Sequence, residues 1–99
     1  MEQCMLMIFA PPALEESLVD WLLEQEQVAG FTTADVHGRS SQPANLSLKE
    51  QVAGRQRRVQ FMLHADRRVI EAMVEALRVE FSNAGLHFSV IPLIDAGHI

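Results

Sequence analysis

The chain has 99 residues, 48% of them hydrophobic, with 8 Lys and Arg against 13 Asp and Glu and a net charge of −5. This length fits a single domain over 1–99, and the hydrophobic share is too large for a disordered chain. The acidic balance excludes the electrostatic footprint of a general nucleic-acid binder, and a lone cysteine, Cys4, excludes an internal disulfide framework or a Cys-rich zinc site.

Cys4–Ala10 (CMLMIFA) reads as a fully buried strand, stopped by Pro11 and Pro12, which cannot donate to a sheet ladder. The apolar run from Cys4 to Leu14, broken by the prolines, is about half of what a membrane span requires. No basic region of a signal peptide precedes it. The expectation is therefore a cytoplasmic protein without membrane insertion. Leu14, Leu18, Trp21, Leu22 and Val28 recur at helical spacing, with Glu15, Glu16, Asp20 and Glu24 on the other face and Gly30 as the end of the segment.

Phe31–His37 is the second predicted strand, closed by Gly38. Arg39–Gln56 follows as a polar connection with no firm period, long for a small domain and of the kind that carries function. Val59, Phe61 and Leu63 alternate with Arg58, Gln60, Met62 and His64, which predicts a third strand. Asp66 is placed to cap a second helix whose apolar stripe is Val69, Ile70, Met73, Val74, Leu77 and Phe81, ended by Asn83 and Gly85. Leu86–Leu93 is the fourth strand, and 94–99 is an extended tail.

The order β-α-β-β-α-β predicts an α+β, ferredoxin-like domain: an antiparallel four-stranded sheet with two helices on one face. Met5, Met7, Phe61 or Met62, and Ile91 are too many apolar strand residues for two short helices to cover. Some must point the other way, and an apolar open face predicts self-association.

For chemistry, the four histidines match no local zinc motif; His37 and His87 are the pair that the fold or a second subunit can bring together as metal ligands. The methionines raise soft-metal binding, but Met5, Met7, Met62 and Met73 occupy predicted core positions, where filling gaps is the better account. Cys4 lies in a buried strand without a cationic neighbour, no serine sits in a nucleophile elbow, and no carboxylate pair is forced into a cleft. The reading is a non-enzyme. Gly38-Arg39-Ser40-Ser41 opens the long connection and Arg55, Arg57 and Arg58 close it, so four of the eight basic residues flank it. Such a cluster either holds an anion or keeps a strand edge soluble.

The stretch MLMIFAPP, the segment Gly30-Phe31-Thr32-Thr33-Ala34-Asp35-Val36-His37-Gly38-Arg39 before a long loop, the return through 58–63 and the helix around 70–77 resemble the PII-like superfamily, the nitrogen-regulatory PII proteins and their CutA relatives. The length and layout are also similar to small PII-like proteins found beside heavy-metal efflux genes. The resemblance implies a homotrimer with ligand clefts between subunits, and a T-loop, here 39–56, that docks on a partner such as a membrane transporter or efflux component. Thr32, Gly38 and Arg39 are the matching positions at its base. The ligand implied is an adenine nucleotide or another anion, to which the basic cluster of Arg55, Arg57 and Arg58 read from the residues themselves can contribute. The alternative is a CutA-like metal-binding protein in heavy-metal tolerance, using His with Cys or Met ligands. The 39–56 loop is expected to be mobile when free and to carry the partner contact.

Overall fold

Strand β1, Gln3–Ala10, has strictly alternating burial: Cys4, Leu6, Ile8 and Ala10 are buried, while Met5, Met7 and Phe9 are half-exposed on the opposite side. The fully buried strand expected here is thus buried on one face only. An unbroken apolar run hides the period of two, because alternation shows in a sequence only where the two faces differ in polarity. The computed structural model describes residues 2–39 and 55–99.

After Pro11 the chain makes one 3-10 turn, Pro12–Leu14, and enters helix α1, Glu15–Leu23. The prolines suit this place because the first N–H groups of a helix lack internal partners. Glu15 and Glu16 occupy the first turn, where negative charge is favoured. The helix buries Leu18 and Leu22 and is shorter than the apolar spacing implies. It stops at Leu23, the Gln25 amide donates to the Trp21 carbonyl at 2.9 Å, and Val28 returns to the core from a following turn.

Strand β2, Thr32–Gly38, leads out and β3, Gln56–Asp66, leads back. The connection between them, on which the loop expectation falls, lies outside the described residues from 40 to 54. With 11 residues, β3 extends past the predicted 58–64 at both ends, so Arg57 joins Arg58 in the strand. Its inward residues are Val59, Phe61 and Leu63; Phe61 is fully buried, which leaves Met62 on the open face.

Helix α2, Arg67–Glu80, starts as expected: the Asp66 carboxylate accepts from the Arg68 backbone N–H at 3.2 Å. It buries Ile70, Met73, Val74 and Leu77. Trp21 of α1 meets Phe81 edge to face, with ring centroids 6.3 Å apart, which joins the two helices at one end. Asn83 and Gly85 take positive φ, 58° and 82°, and turn the chain into β4, His87–Leu93.

The sheet order is β2-β3-β1-β4 with every neighbouring pair antiparallel, the split βαβ arrangement. The domain is α+β with two helices over one face of a four-stranded sheet, the ferredoxin-like architecture expected from the element order. Register assigns the other face: Thr32, Ala34 and Val36 from β2, Gln60, Met62 and His64 from β3, Met5, Met7 and Phe9 from β1, and His87, Ser89 and Ile91 from β4. Of the four methionines placed in the core from the sequence, only Met73 is there; Met5, Met7 and Met62 lie on this open face. Their period-two spacing fits either side of a strand, and the helices cover only one.

Candidate functional site

At one end of the open face β1 and β2 finish while β3 and β4 begin. Direct pairing sets Gly38 against Gln56, Val36 against Arg58 and Phe9 against His87. Together with Arg39, His37 and Gly85, these residues line a solvent-open groove of about 580 Å³ at the foot of the 39–56 connection. That is the size range of small-ligand sites.

The groove has two chemical parts. Its apolar parts are Phe9 of β1, with the His87 ring beside it as a surface suited to a planar group, and Val36 of β2, which stands across β3 and pairs directly with Arg58. Arg58, Arg39 and the glycine backbones at 38 and 85 form its cationic, backbone-rich side. Arg58 Nη1 donates to the Arg57 carbonyl at 3.4 Å, so its guanidinium folds back over the strand and retains further N–H donors. A Cβ at Gly38 would meet the Gln56 carbonyl oxygen at 3.8 Å and Arg58 Cγ at 3.9 Å, ordinary contact distances. The fold therefore tolerates alanine at this position.

The structure brings Gly38, Arg39 and Arg58 together. Arg57 pairs directly with His37, and both fall on the helix-side face of the β2–β3 ribbon by alternation; Arg55 lies just before β3 and is exposed. Neither Arg55 nor Arg57 lines the groove, but both add positive charge near it. Thr32 is at the far end of β2, about 20 Å from Gly38 at strand rise. His37 and His87 both border the groove, yet from opposite edge strands with β3 and β1 between them. Edge to edge that is about 14 Å, too far for two imidazoles of one protomer to share an ion. Among the described residues no three of His, Cys, Asp and Glu come together.

Sequence reasoning missed Phe9, Val36, Gln56, Gly85 and the site-forming role of His87 beside Phe9. Alternation from Gly38 back to Val36 could have found one of them. The others come from pairings distant in the chain.

No curated protein matches the chain by sequence. Solved structures do match its fold. A DUF3240 family protein from Shewanella baltica OS155 is 18% identical, with 98% of this chain and 96% of that chain covered and a TM-score of 0.79. CPII, a nitrogen regulatory PII-like protein from Thiomonas intermedia K12 solved with ADP, AMP and bicarbonate, is 16% identical over 100% of this chain and 98% of its own, with a TM-score of 0.73. The PII-like protein CutA from Nostoc sp. PCC 7120 is 19% identical over 95% and 82%, with a TM-score of 0.69. No described helix is long and apolar enough to cross a membrane. The family model for proteins of unknown function DUF3240 matches residues 1–99, so the chain, with its PII-like fold, belongs to the DUF3240 family.

Proposed function

We propose that this protein is a cytoplasmic PII-like regulatory protein that binds a small anionic ligand and acts by docking on another protein, without catalysis. The observation that carries this reading is the groove at the foot of the 39–56 segment, where apolar surface meets Arg39, Arg58 and two glycine backbones. An adenine nucleotide satisfies both halves: its base stacks on Phe9 beside His87, and its phosphates face the guanidinium groups. Gly38 lets the ligand approach the backbone, while Arg55 and Arg57 strengthen the positive potential around the site. The fold neighbour solved with ADP, AMP and bicarbonate supports this ligand class.

In this reading the active form is a homotrimer closed through the open sheet face, with each groove completed by a neighbouring subunit. Thr32, distant from the groove in its own protomer, contributes across that boundary. Support comes from the apolar content of the face: Ile91 is 41% exposed, and Met5, Met7, Phe9 and Met62 are half-exposed. Ligand binding biases the 39–56 segment toward the conformation that engages a partner such as a membrane transporter, a population shift driven by tighter binding to that state.

Calorimetry and thermal shift with ATP, ADP, AMP and bicarbonate test the reading. A ligand specific for the folded state stabilises it by about 2.7 kcal/mol at a hundredfold excess over Kd. Arg58→Gln should lower nucleotide affinity about tenfold, the order expected for a charged hydrogen bond. Gly38→Ala should weaken binding without lowering the melting temperature. No response to any of these ligands would refute the reading, as would unchanged affinity in Arg58→Gln.

A further inference from the structure

The helix layer stops short of the sheet edge at β4. Ile8 and Phe88 pair directly on the helix side, yet Ile8 is fully buried while Phe88 is 42% exposed. Between the last turns of α2 and the start of β4 this leaves a crevice of about 280 Å³, open on one side. Val74, Leu77, Phe81 and Leu86 join the Ile8–Phe88 pair to make it apolar. Edge-to-face contact with Trp21 holds Phe81, and the positive φ of Asn83 and Gly85 sets the turn that brings Leu86 to the wall, so the lining is pre-formed. A cavity of about 150 Å³ lined by such residues holds benzene, so this one has room for a leucine or phenylalanine side chain with its polar groups at the mouth.

The polar lining comes from the end of α2: Arg78, Ser82 and Asn83. The Arg78 guanidinium lies 5.3 Å from the Phe88 ring centroid, and its Nε is 3.4 Å from Glu75 Oε1. Among the described residues its two terminal nitrogens meet no acceptor, so they remain as donors for a carboxylate. A helix ends on carbonyls without internal partners and is partly negative there, and the side-chain oxygens of Ser82 and Asn83 are acceptors beside that end. It suits an ammonium group. We propose that this crevice binds a free apolar α-amino acid, its side chain against Phe81, Leu86 and Phe88, its carboxylate on Arg78 and its ammonium at the carbonyl end of α2. Opposite charges side by side favour the zwitterion over a plain carboxylate or amine. The crevice is on the helix side, so an oligomer closed through the other sheet face leaves it accessible. It shares no residue with the groove and does not rest on the nucleotide reading.

Calorimetry of the full-length protein with L-leucine and L-phenylalanine, with backbone amide shifts followed by NMR, tests the site. One amino acid per chain should bind, with the shifts concentrated in 77–88. Isocaproate and isoamylamine keep the apolar body of leucine and one charge each, and both should bind at least tenfold more weakly. Arg78→Gln alters an exposed side chain and should weaken leucine binding at least tenfold at nearly unchanged melting temperature. Ser82→Trp sets a ring in the mouth from an exposed position and should abolish binding while the oligomeric mass stays that of the parent. Failure to bind either amino acid overturns the site. So does equal binding of isocaproate, or unchanged affinity in Arg78→Gln, which would leave the arginine only a cover for Phe88. A changed mass in Ser82→Trp would assign the crevice to a second copy of the chain and overturns it as well. Nucleotide affinity should be the same in Arg78→Gln as in the parent, so the two sites fail or stand separately.

Discussion

Asp66 ends a strand and caps a helix at the same time, since it closes β3 and accepts the Arg68 N–H. Removing the carboxylate leaves that donor without its partner, so Asp66→Ala should cost about 1 kcal/mol in urea denaturation. The alternating strand residues predict a sharper contrast. Ile8 is fully buried against Phe61, and Ile8→Ala should cost about 2–5 kcal/mol through lost burial and the cavity left behind. Its neighbour Met7 points to the open face, and Met7→Leu should change the same midpoint by less than about 1.5 kcal/mol. Gly85 has φ of 82°, a left-handed conformation that costs a side-chain-bearing residue about 1 kcal/mol, so Gly85→Ala should destabilise by that order although the added Cβ would meet Pro11 Cγ at an ordinary contact distance of 3.6 Å.

Between elements, Arg67 joins the chain start to the second helix. Its guanidinium reaches Glu71 at 2.8 Å and Glu2 at 3.2 Å, and its backbone N–H donates to the Glu2 carbonyl at 2.9 Å. The Glu71 carboxylate, followed by Glu2, raises the Arg67 pKa above its already high value, so this cation stays charged at any working pH. The pairs are solvent-exposed and screened by salt. Arg67→Ala should therefore lower the urea midpoint slightly in dilute buffer, and the difference should vanish in about 1 M salt, where the Debye length is ~3 Å. A difference that survives high salt would mean that packing of the side-chain stem, not charge, joins these segments. On the edge strand β4, Phe88 and Val90 face the helix side yet are 42% and 40% exposed, and Arg78 of α2 lies over the Phe88 ring at 5.3 Å from its centroid. The arginine covers an edge that the helix itself does not reach.

For the whole molecule, the decisive feature is a sheet with apolar groups on both faces and helices on one. Self-association through the open face predicts that Ile91→Asp converts the oligomer to monomers in multi-angle light scattering. Val79→Asp, on an exposed helix surface at 77% accessibility, should leave the mass unchanged. A parent protein that is monomeric at micromolar concentration would refute the trimer. Because groove and open face adjoin, Ile91→Asp should also weaken nucleotide binding if neighbouring subunits complete the groove.

The order of elements was legible because its signals are local. Val59, Phe61 and Leu63 alternate with polar neighbours, Asp66 precedes an apolar stripe, and Asn83 and Gly85 follow it, all relations within a few residues. Where a local signal was ambiguous, the reading erred: the uniform apolar run of β1 concealed which residues faced the helices, and apolar spacing as far as Val28 overextended α1. The basic flanks of the 39–56 segment were legible as charge, but their division was not. Only tertiary structure decided that Arg58 lines the groove while Arg57 turns to the other face, that Phe9 meets His87, and that Met7 meets Met62. These are matters of strand order and register, set by pairing between segments distant in the chain, and a shift of one residue would exchange every side chain between the two faces.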